Sequence, residues 1–282
     1  FFNNCTFAGN RIGVESAHNF QAPGWFRNCV FTGNLINYKT NSGYHGSWFL
    51  NCCFGPGSIF NTAVGVDGWR YFTFNAGTFF ADPLLDAGRR PTAASPLLKA
   101  GTDLSAFAPA PVARDLEGNF WNGEWDIGCY KSAYPAVPVA KYAEQHVAPP
   151  PAGSDANDGA SAAAPRATLQ SALDHIAGGG TVHAAAGVYE GPVFVRAPRV
   201  TLAGAGRDAT IIRVPGGEAS AFRTNGFAAV EVYATNVVLH GFAAQGGLAG
   251  VYVRPPAEAK FCVVSNCTFA ANGYGVLASD SV

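Results

Sequence analysis

This chain of 282 residues contains no methionine and little charge: 18 Lys and Arg against 19 Asp and Glu give a net charge of −1 and a charged fraction of 13%. Ordinary soluble domains carry about 25% charged residues. A balance this close to zero provides no basic stripe for nucleic acid and no cationic face for an anionic membrane, so neither is expected as a partner. No run of about 20 apolar residues occurs, so no membrane-spanning helix is expected. Phe1 opens inside a repeated motif, without an initiator or a signal-peptide pattern, which predicts a piece of a longer precursor. What is abundant is apolar surface and turns, with 48% hydrophobic residues and 34 Gly. That mixture suits a core built from many short strands.

The strands announce themselves through a repeat. Asn4-Cys5-Thr6-Phe7, Asn28-Cys29-Val30-Phe31, Asn51-Cys52-Cys53-Phe54 and Asn266-Cys267-Thr268-Phe269 share one pattern, with Cys-to-Cys steps of 24 and 23 residues among the first three. Running on from Val282 to Phe1 would separate Cys267 from Cys5 by 20 residues, so the last coil reads into the first. Asn272-Gly273-Tyr274-Gly275-Val276 stands to Cys267 as Asn10-Arg11-Ile12-Gly13-Val14 stands to Cys5. A period of 20 to 24 residues is that of a solenoid in which each turn stacks on the next.

Within a coil, the Asn tolerates positive φ and resets strand alternation. Phe2, Phe26, Phe49 and Val264 before it, and Cys5, Cys29, Cys52, Cys267, Phe7, Phe31, Phe54 and Phe269 after it, are then expected to face inward. Each stacks on its equivalent about 4.8 Å away. Parallel stacking aligns the Cβ vectors of successive cysteines, which is poor disulfide geometry, so buried free thiols are expected. Metal binding would need a spacing such as C-x2-C, which Cys52-Cys53 and Cys262/Cys267 lack. Cys129 lies outside the ladder, and seven cysteines leave one unpaired in any case.

The middle of the chain reads as an end followed by a beginning. Ser95-Pro96-Leu97-Leu98-Lys99-Ala100-Gly101 and Asp126-Ile127-Gly128-Cys129-Tyr130 resemble the closing segment of secreted bacterial right-handed parallel β-helix proteins of the pectin-lyase-like superfamily. A Pro/Ala-rich stretch, 132–153, reads as an extended linker. Pro165 to Ile176 then resembles the opening of the same superfamily, with Leu169, Ala172, Leu173 and Ile176 on one helical face. A capping helix is expected near 167–177, begun at Thr168 and ended by Gly178-Gly179-Gly180. It would cover the open end of the solenoid, and Thr181-Val182-His183, Gly187-Val188-Tyr189 and Pro192-Val193-Phe194-Val195 follow as first strands. The resemblance implies an all-β fold, a right-handed parallel β-helix: residues 1–131 as its C-terminal half, 154–282 as the N-terminal half of the same or the next unit. A tandem array and a circular permutation both fit, since a linker of about 20 residues can reach ~66 Å. The array is preferred, because a start inside a strand and end-to-start continuity belong to a periodic polymer.

The superfamily includes polysaccharide lyases and glycosidases, which need a Lys or Arg base, acidic calcium ligands or paired carboxylates on one outer face. The coils offer few. Lys39, Tyr44 and His45, beside Glu15 or His18, form one candidate base-and-acid set; a solvated loop is the ordinary explanation. Glu231, Glu258 and Asp280 are scattered through the other half. Asp155, Asn157 and Asp158 resemble the start of a calcium loop but lack its distal Glu, so calcium is the one cofactor considered, against a polar turn before the helix. Phe1, Trp25 and Trp48, each four residues before its Cys, are expected to line up outside the coils. They would form a sugar platform or a patch covered by a neighbour. The sum of these readings is an extracellular or cell-surface structural unit whose partner is itself, head to tail across Val282 and Phe1, with polysaccharide as the alternative partner.

Overall fold

The computed structural model describes residues 1–16, 24–40, 47–55, 60–62, 72–74, 77–107, 111–136, 140–214, 228–253 and 261–278. The chain forms two compact units, Phe1–Pro138 and Val139–Val282.

The first unit contains β1 (Phe2–Asn3), β2 (Thr6–Ala8), β3 (Ile12–Ser16), β4 (Trp25–Arg27), β5 (Val30–Thr32) and β6 (Ile36–Thr40). They are followed by β7 (Ser47–Leu50), β8 (Cys53–Phe54), β9 (Phe60–Thr62), β10 (Phe72–Phe74) and β11 (Phe79–Phe80). These make three sheets, ordered β1-β4-β7-β10, β2-β5-β8-β11 and β3-β6-β9. Every pairing is parallel, and each strand pairs with the strand one coil away. This is the parallel β-helix that the repeat predicts.

The corner residues explain why. Asn4, Asn28 and Asn51 have φ of 49°, 51° and 53°, the left-handed bend that lets Phe26 and Cys29 both face inward. Phe2, Phe26 and Phe49 stack with centroids 4.8 and 4.9 Å apart, and Phe7, Phe31 and Phe54 with 4.7 and 4.8 Å. The two columns meet edge to face, as in the 5.6 Å contact of Phe26 with Phe31. None of the seven cysteines is in a disulfide. Cys29, Cys52 and Cys53 are buried, whereas Cys5, Cys129, Cys262 and Cys267 are only partly so. The expectation of buried thiols therefore fails at these four, two of which, Cys5 and Cys267, sit on edge rungs.

The closing segment lies along the coils. Leu97 and Ile127 pack onto Val30 and Cys53 of the second sheet. The corner amides hold it there: Asn4 Nδ2 donates to the Gly128 carbonyl at 3.1 Å, and Asn51 Nδ2 to the Ala100 carbonyl at 3.3 Å. Buried Asp126 accepts from the backbone N–H groups of Lys99 and Ser132, fastening the segment to itself. Outside this layer Trp121 stacks on Trp125 at 4.9 Å over Leu104.

The second unit comprises β12 (Tyr142–Val147), α1 (Leu169–His175), β13 (Ile176–Ala184), β14 (Gly187–Glu190), β15 (Val193–Val195), β16 (Thr201–Gly204) and β17 (Thr210–Arg213). It continues through β18 (Val230–Val232), β19 (Val238–His240), β20 (Ala243–Gln245), β21 (Ala249–Val253), β22 (Val263–Ser265), β23 (Thr268–Ala270) and β24 (Tyr274–Ala278). Its parallel sheets are β12-β13-β16-β19-β22, β14-β17-β20-β23 and β15-β18-β21-β24. Leu169, Ala172 and Leu173 of α1 are buried in one core with Val182, Leu202 and Leu239. The Thr168 hydroxyl caps the helix by accepting from Ser171 N–H.

Two expectations are corrected here. The stretch 132–153 is not a linker throughout. Ser132 belongs to the closing segment through Asp126, and residues 142–147 form β12, whose inward Gln145 and Val147 are buried. Nor do Gly178-Gly179-Gly180 end the helix; they lie inside β13. A Cβ on Gly180 would meet the Ala143 carbonyl at 2.5 Å, so glycine is required by the close approach of β12.

Candidate functional site

The predicted aromatic row is present. Trp25 and Trp48 are register partners whose rings stack at 5.0 Å with a 5° interplanar angle, and Phe1 lies 6.3 Å from Trp25. Phe1 is 66% and Trp48 37% exposed. The closing segment adds a residue that spacing could not reveal: Phe107 packs edge-on against Phe1 at 5.5 Å. The Arg27 guanidinium sits 4.3 Å from the Phe107 ring centroid and 5.1 Å from that of Trp25. Its Nη1 is buried without a hydrogen-bond partner among the described residues, and burial lowers its pKa. Trp25 and Trp48 spend one face on each other, so the row offers ring edges and the cation more than open platforms.

The candidate acid–base set is only partly visible. Lys39 Nζ lies 2.5 Å from Glu15 Oε1, an ion pair between neighbouring coils in register. Tyr44, His45 and His18 lie outside the described residues. The three calcium candidates are committed to separate local bonds. Asp155 accepts from the N–H groups of Ala167 and Thr168 and from the Thr168 hydroxyl, Asn157 donates to the Pro165 carbonyl, and Asp158 accepts from Ala160 N–H. They bind the loop to the helix start rather than converging. Among the described residues no group of three His, Cys, Asp or Glu side chains is placed to hold a metal ion.

Two clusters escaped the sequence reading. On β12 and β13, His146 and His183 stack at 4.9 Å, and His183 Nε2 lies 2.5 Å from Glu144 Oε2. They border a groove of about 320 Å³ floored by Ala184, Ala203 and Gly204. On β18, the buried Glu231 carboxylate accepts from Tyr233 Oη at 2.9 Å and from Ala228 N–H at 3.3 Å. The first was hidden because β12 lies in the supposed linker, so its register with β13 could not be drawn.

The most extensive feature is a pair of matching edge rungs. Strands β23 and β24 coincide residue for residue with β2 and β3 when Cys267 is aligned on Cys5. Asn266 and Asn4 share a φ of 49°. Both rungs lie at sheet edges. Inward side chains are left partly open on each, Phe2 at 39%, Tyr274 at 40% and Val276 at 47%, although Val251, the register partner of Val276, is fully buried. The opposite end of the second unit is covered: Gln170 of α1 accepts from Phe194 N–H at 2.8 Å on edge strand β15, and Arg166 bridges the edge of β12.

Compared with family models, curated proteins and solved structures, the chain finds no match. The class is therefore defined by the fold of each unit, a parallel β-helix with a laterally docked closing segment in the first and a parallel β-helix with the short helix α1 before its coils in the second.

Proposed function

We propose that this protein is a structural, self-assembling β-helix unit of the pectin-lyase-like kind, working outside the cell as a tandem repeat of a large surface protein or as a filament protomer. The observation carrying this reading is the equivalence of the two edge rungs, β1–β3 and β22–β24. Rungs that match strand for strand and share the corner bend are what one solenoid unit continuing into an identical one requires. The cap at β12 and β15 supports the same view, since protection of one end leaves assembly a direction. The test is electron microscopy with sedimentation of the full chain over a range of concentrations. Rods with an axial repeat of one solenoid length are expected; a species that stays a globular monomer at every concentration removes the proposal.

A second reading is carbohydrate binding or cleavage, favoured by the partly exposed Trp25–Trp48 row. Affinity electrophoresis in gels containing an acidic polysaccharide, with Trp25→Ala and Trp48→Ala, tests it: retardation lost in the variants supports binding, and no retardation of the parent chain removes it.

A further inference from the structure

We infer that the closing segment is locked by a covalent cross-link, an isopeptide bond between the Lys99 amine and the Asp126 carboxyl, which the folded chain forms from its own residues. The inference is independent of how units meet, because every group in it lies inside the unit Phe1–Pro138.

The two residues come from the two halves of the closing segment, and the backbone draws these halves together. Ile127 N–H donates to the Leu97 carbonyl at 3.0 Å, and Gly101 N–H to the Trp125 carbonyl at 2.8 Å. Lys99 and Asp126 lie between these two ties. Lys99 has a φ of 54°, uncommon for a residue with a Cβ. In that bend its own N–H donates to Asp126 Oδ1 at 2.8 Å, and its Nζ lies 3.3 Å from the same oxygen. One residue thus reaches the carboxyl with both backbone and side chain. A backbone held in a sparsely populated region by such surroundings is a pointer to function.

The groups around the pair are those an acyl condensation needs. Asp126 is fully buried, and its two oxygens accept backbone N–H groups, one from Lys99 and one from Ser132. These donors draw charge from the carboxyl carbon and are in place for the oxyanion that forms when an amine adds to it. The Ser132 carbonyl accepts from Nζ at 2.8 Å and orients the nitrogen. Glu124 Oε2 lies 3.7 Å from Nζ, close enough to take its protons directly or through one water. The Lys99 side chain is 12% exposed and that of Glu124 68%, so the attacking atom is sheltered while the proton carrier opens to solvent. An ammonium and a carboxylate withdrawn from water pay a desolvation cost that their attraction must offset. The amide carries no charge.

The step balances without a cofactor. Glu124 takes a proton from the Lys99 ammonium, the freed amine adds to Asp126 Cγ, and the C–N bond forms. Glu124 delivers that proton, and then a second from the nitrogen, to one carboxyl oxygen; the C–O bond breaks and water leaves. The ammonium has lost two protons, the carboxyl one oxygen, and Glu124 ends as it began. The product closes a loop over residues 99–126, which carries the stacked Trp121 and Trp125 and the Thr102 that binds Asn28.

Intact-mass spectrometry of the full chain, followed by denaturation and trypsin digestion, tests the bond. The expected mass is lower than that of the sequence by one water, about 18 Da. Lys99 should resist trypsin, and one branched peptide should carry Lys99 and Asp126 together although the chain is cut at Arg114 between them. Lys99→Arg should show the full mass and no branch. Glu124→Gln, sampled over time after cell-free synthesis, should form the bond on the order of a hundredfold more slowly. A full mass in the parent chain, with cleavage after Lys99, overturns the cross-link and leaves an ion pair. A lost water without the branched peptide places the dehydration elsewhere and overturns it as well. Cross-linking of Glu124→Gln at the parental rate overturns the part given to Glu124.

Discussion

Asn28 and Thr102 exchange two hydrogen bonds of 2.8 Å, the Asn28 amide donating to the Thr102 carbonyl and the Thr102 N–H donating to Asn28 Oδ1. One side chain thereby serves the closing segment as a strand edge would, while its own backbone makes the corner of the coil. Asn28→Asp keeps the bend but sets a carboxylate oxygen against the Thr102 carbonyl. Loss of a buried donor of this kind costs about 1–3 kcal/mol. Urea denaturation should show a lower midpoint with an unchanged slope; an unaltered midpoint would mean that the closing segment is held by apolar packing alone.

Phe31 sits between Phe7 and Phe54 in the inner column, in stacked contact with both and fully buried. Phe31→Ala removes a ring from a filled core, where such truncations cost about 3–5 kcal/mol. Phe2→Ala, at the half-open edge, should cost clearly less in the isolated chain. Thermal denaturation of the two variants measures the contrast, and equal losses would contradict the burial that separates them.

The coils were legible because their determinants are local and repeated: an Asn that accepts positive φ, then Cys and Phe at fixed offsets. Asn4, Asn28, Asn51 and Asn266 all do what the spacing demands. The capping helix was legible for the same reason, through Thr168 and the Leu169, Ala172, Leu173 stripe. What the sequence concealed depends on partners far along the chain. The second use of Asn28 requires Thr102, and that of Asn4 requires Asp126 and Gly128. Strand β12 hid in a Pro/Ala-rich stretch because a strand that opens a solenoid has no preceding repeat to match. Once it was missed, the pairing of His146 with His183 was invisible too.

Asp115 makes the closing segment sensitive to acid. Burial pushes its carboxyl up, but bonds from Asn119, Lys131 and Glu117 outweigh burial and hold it below the usual carboxylate range. A group depressed in the folded state contributes stability above its unfolded value, about 3.9, and loses it as pH falls through the lower folded value. The indole fluorescence of Trp121 and Trp125 should therefore report loosening below about pH 4. Asp115→Asn should destabilise the segment at neutral pH, with its difference from the parent shrinking in acid. A constant difference from neutral to strongly acidic pH would locate the acid response elsewhere.

Lys39 is the residue on which an eliminative cleavage reading depends, because such chemistry needs a base beside a sugar ring on an outer face. Its ammonium is instead paired across one rung with Glu15, on neighbouring strands in register, and both side chains are partly exposed. An exposed pair of this kind contributes about 0.2–1 kcal/mol, so Lys39→Ala should leave the fold intact. Incubation of the parent chain with acidic polysaccharides is expected to give no rise in ultraviolet absorbance from unsaturated ends, and Lys39→Ala and His45→Ala should match it. A rise in the parent that either substitution abolishes would put catalysis ahead of assembly. Glu15→Gln then separates the two uses of the lysine: released from its partner, Lys39 should raise cleavage if it is the base and change only salt-dependent stability if the pair merely ties one coil to the next.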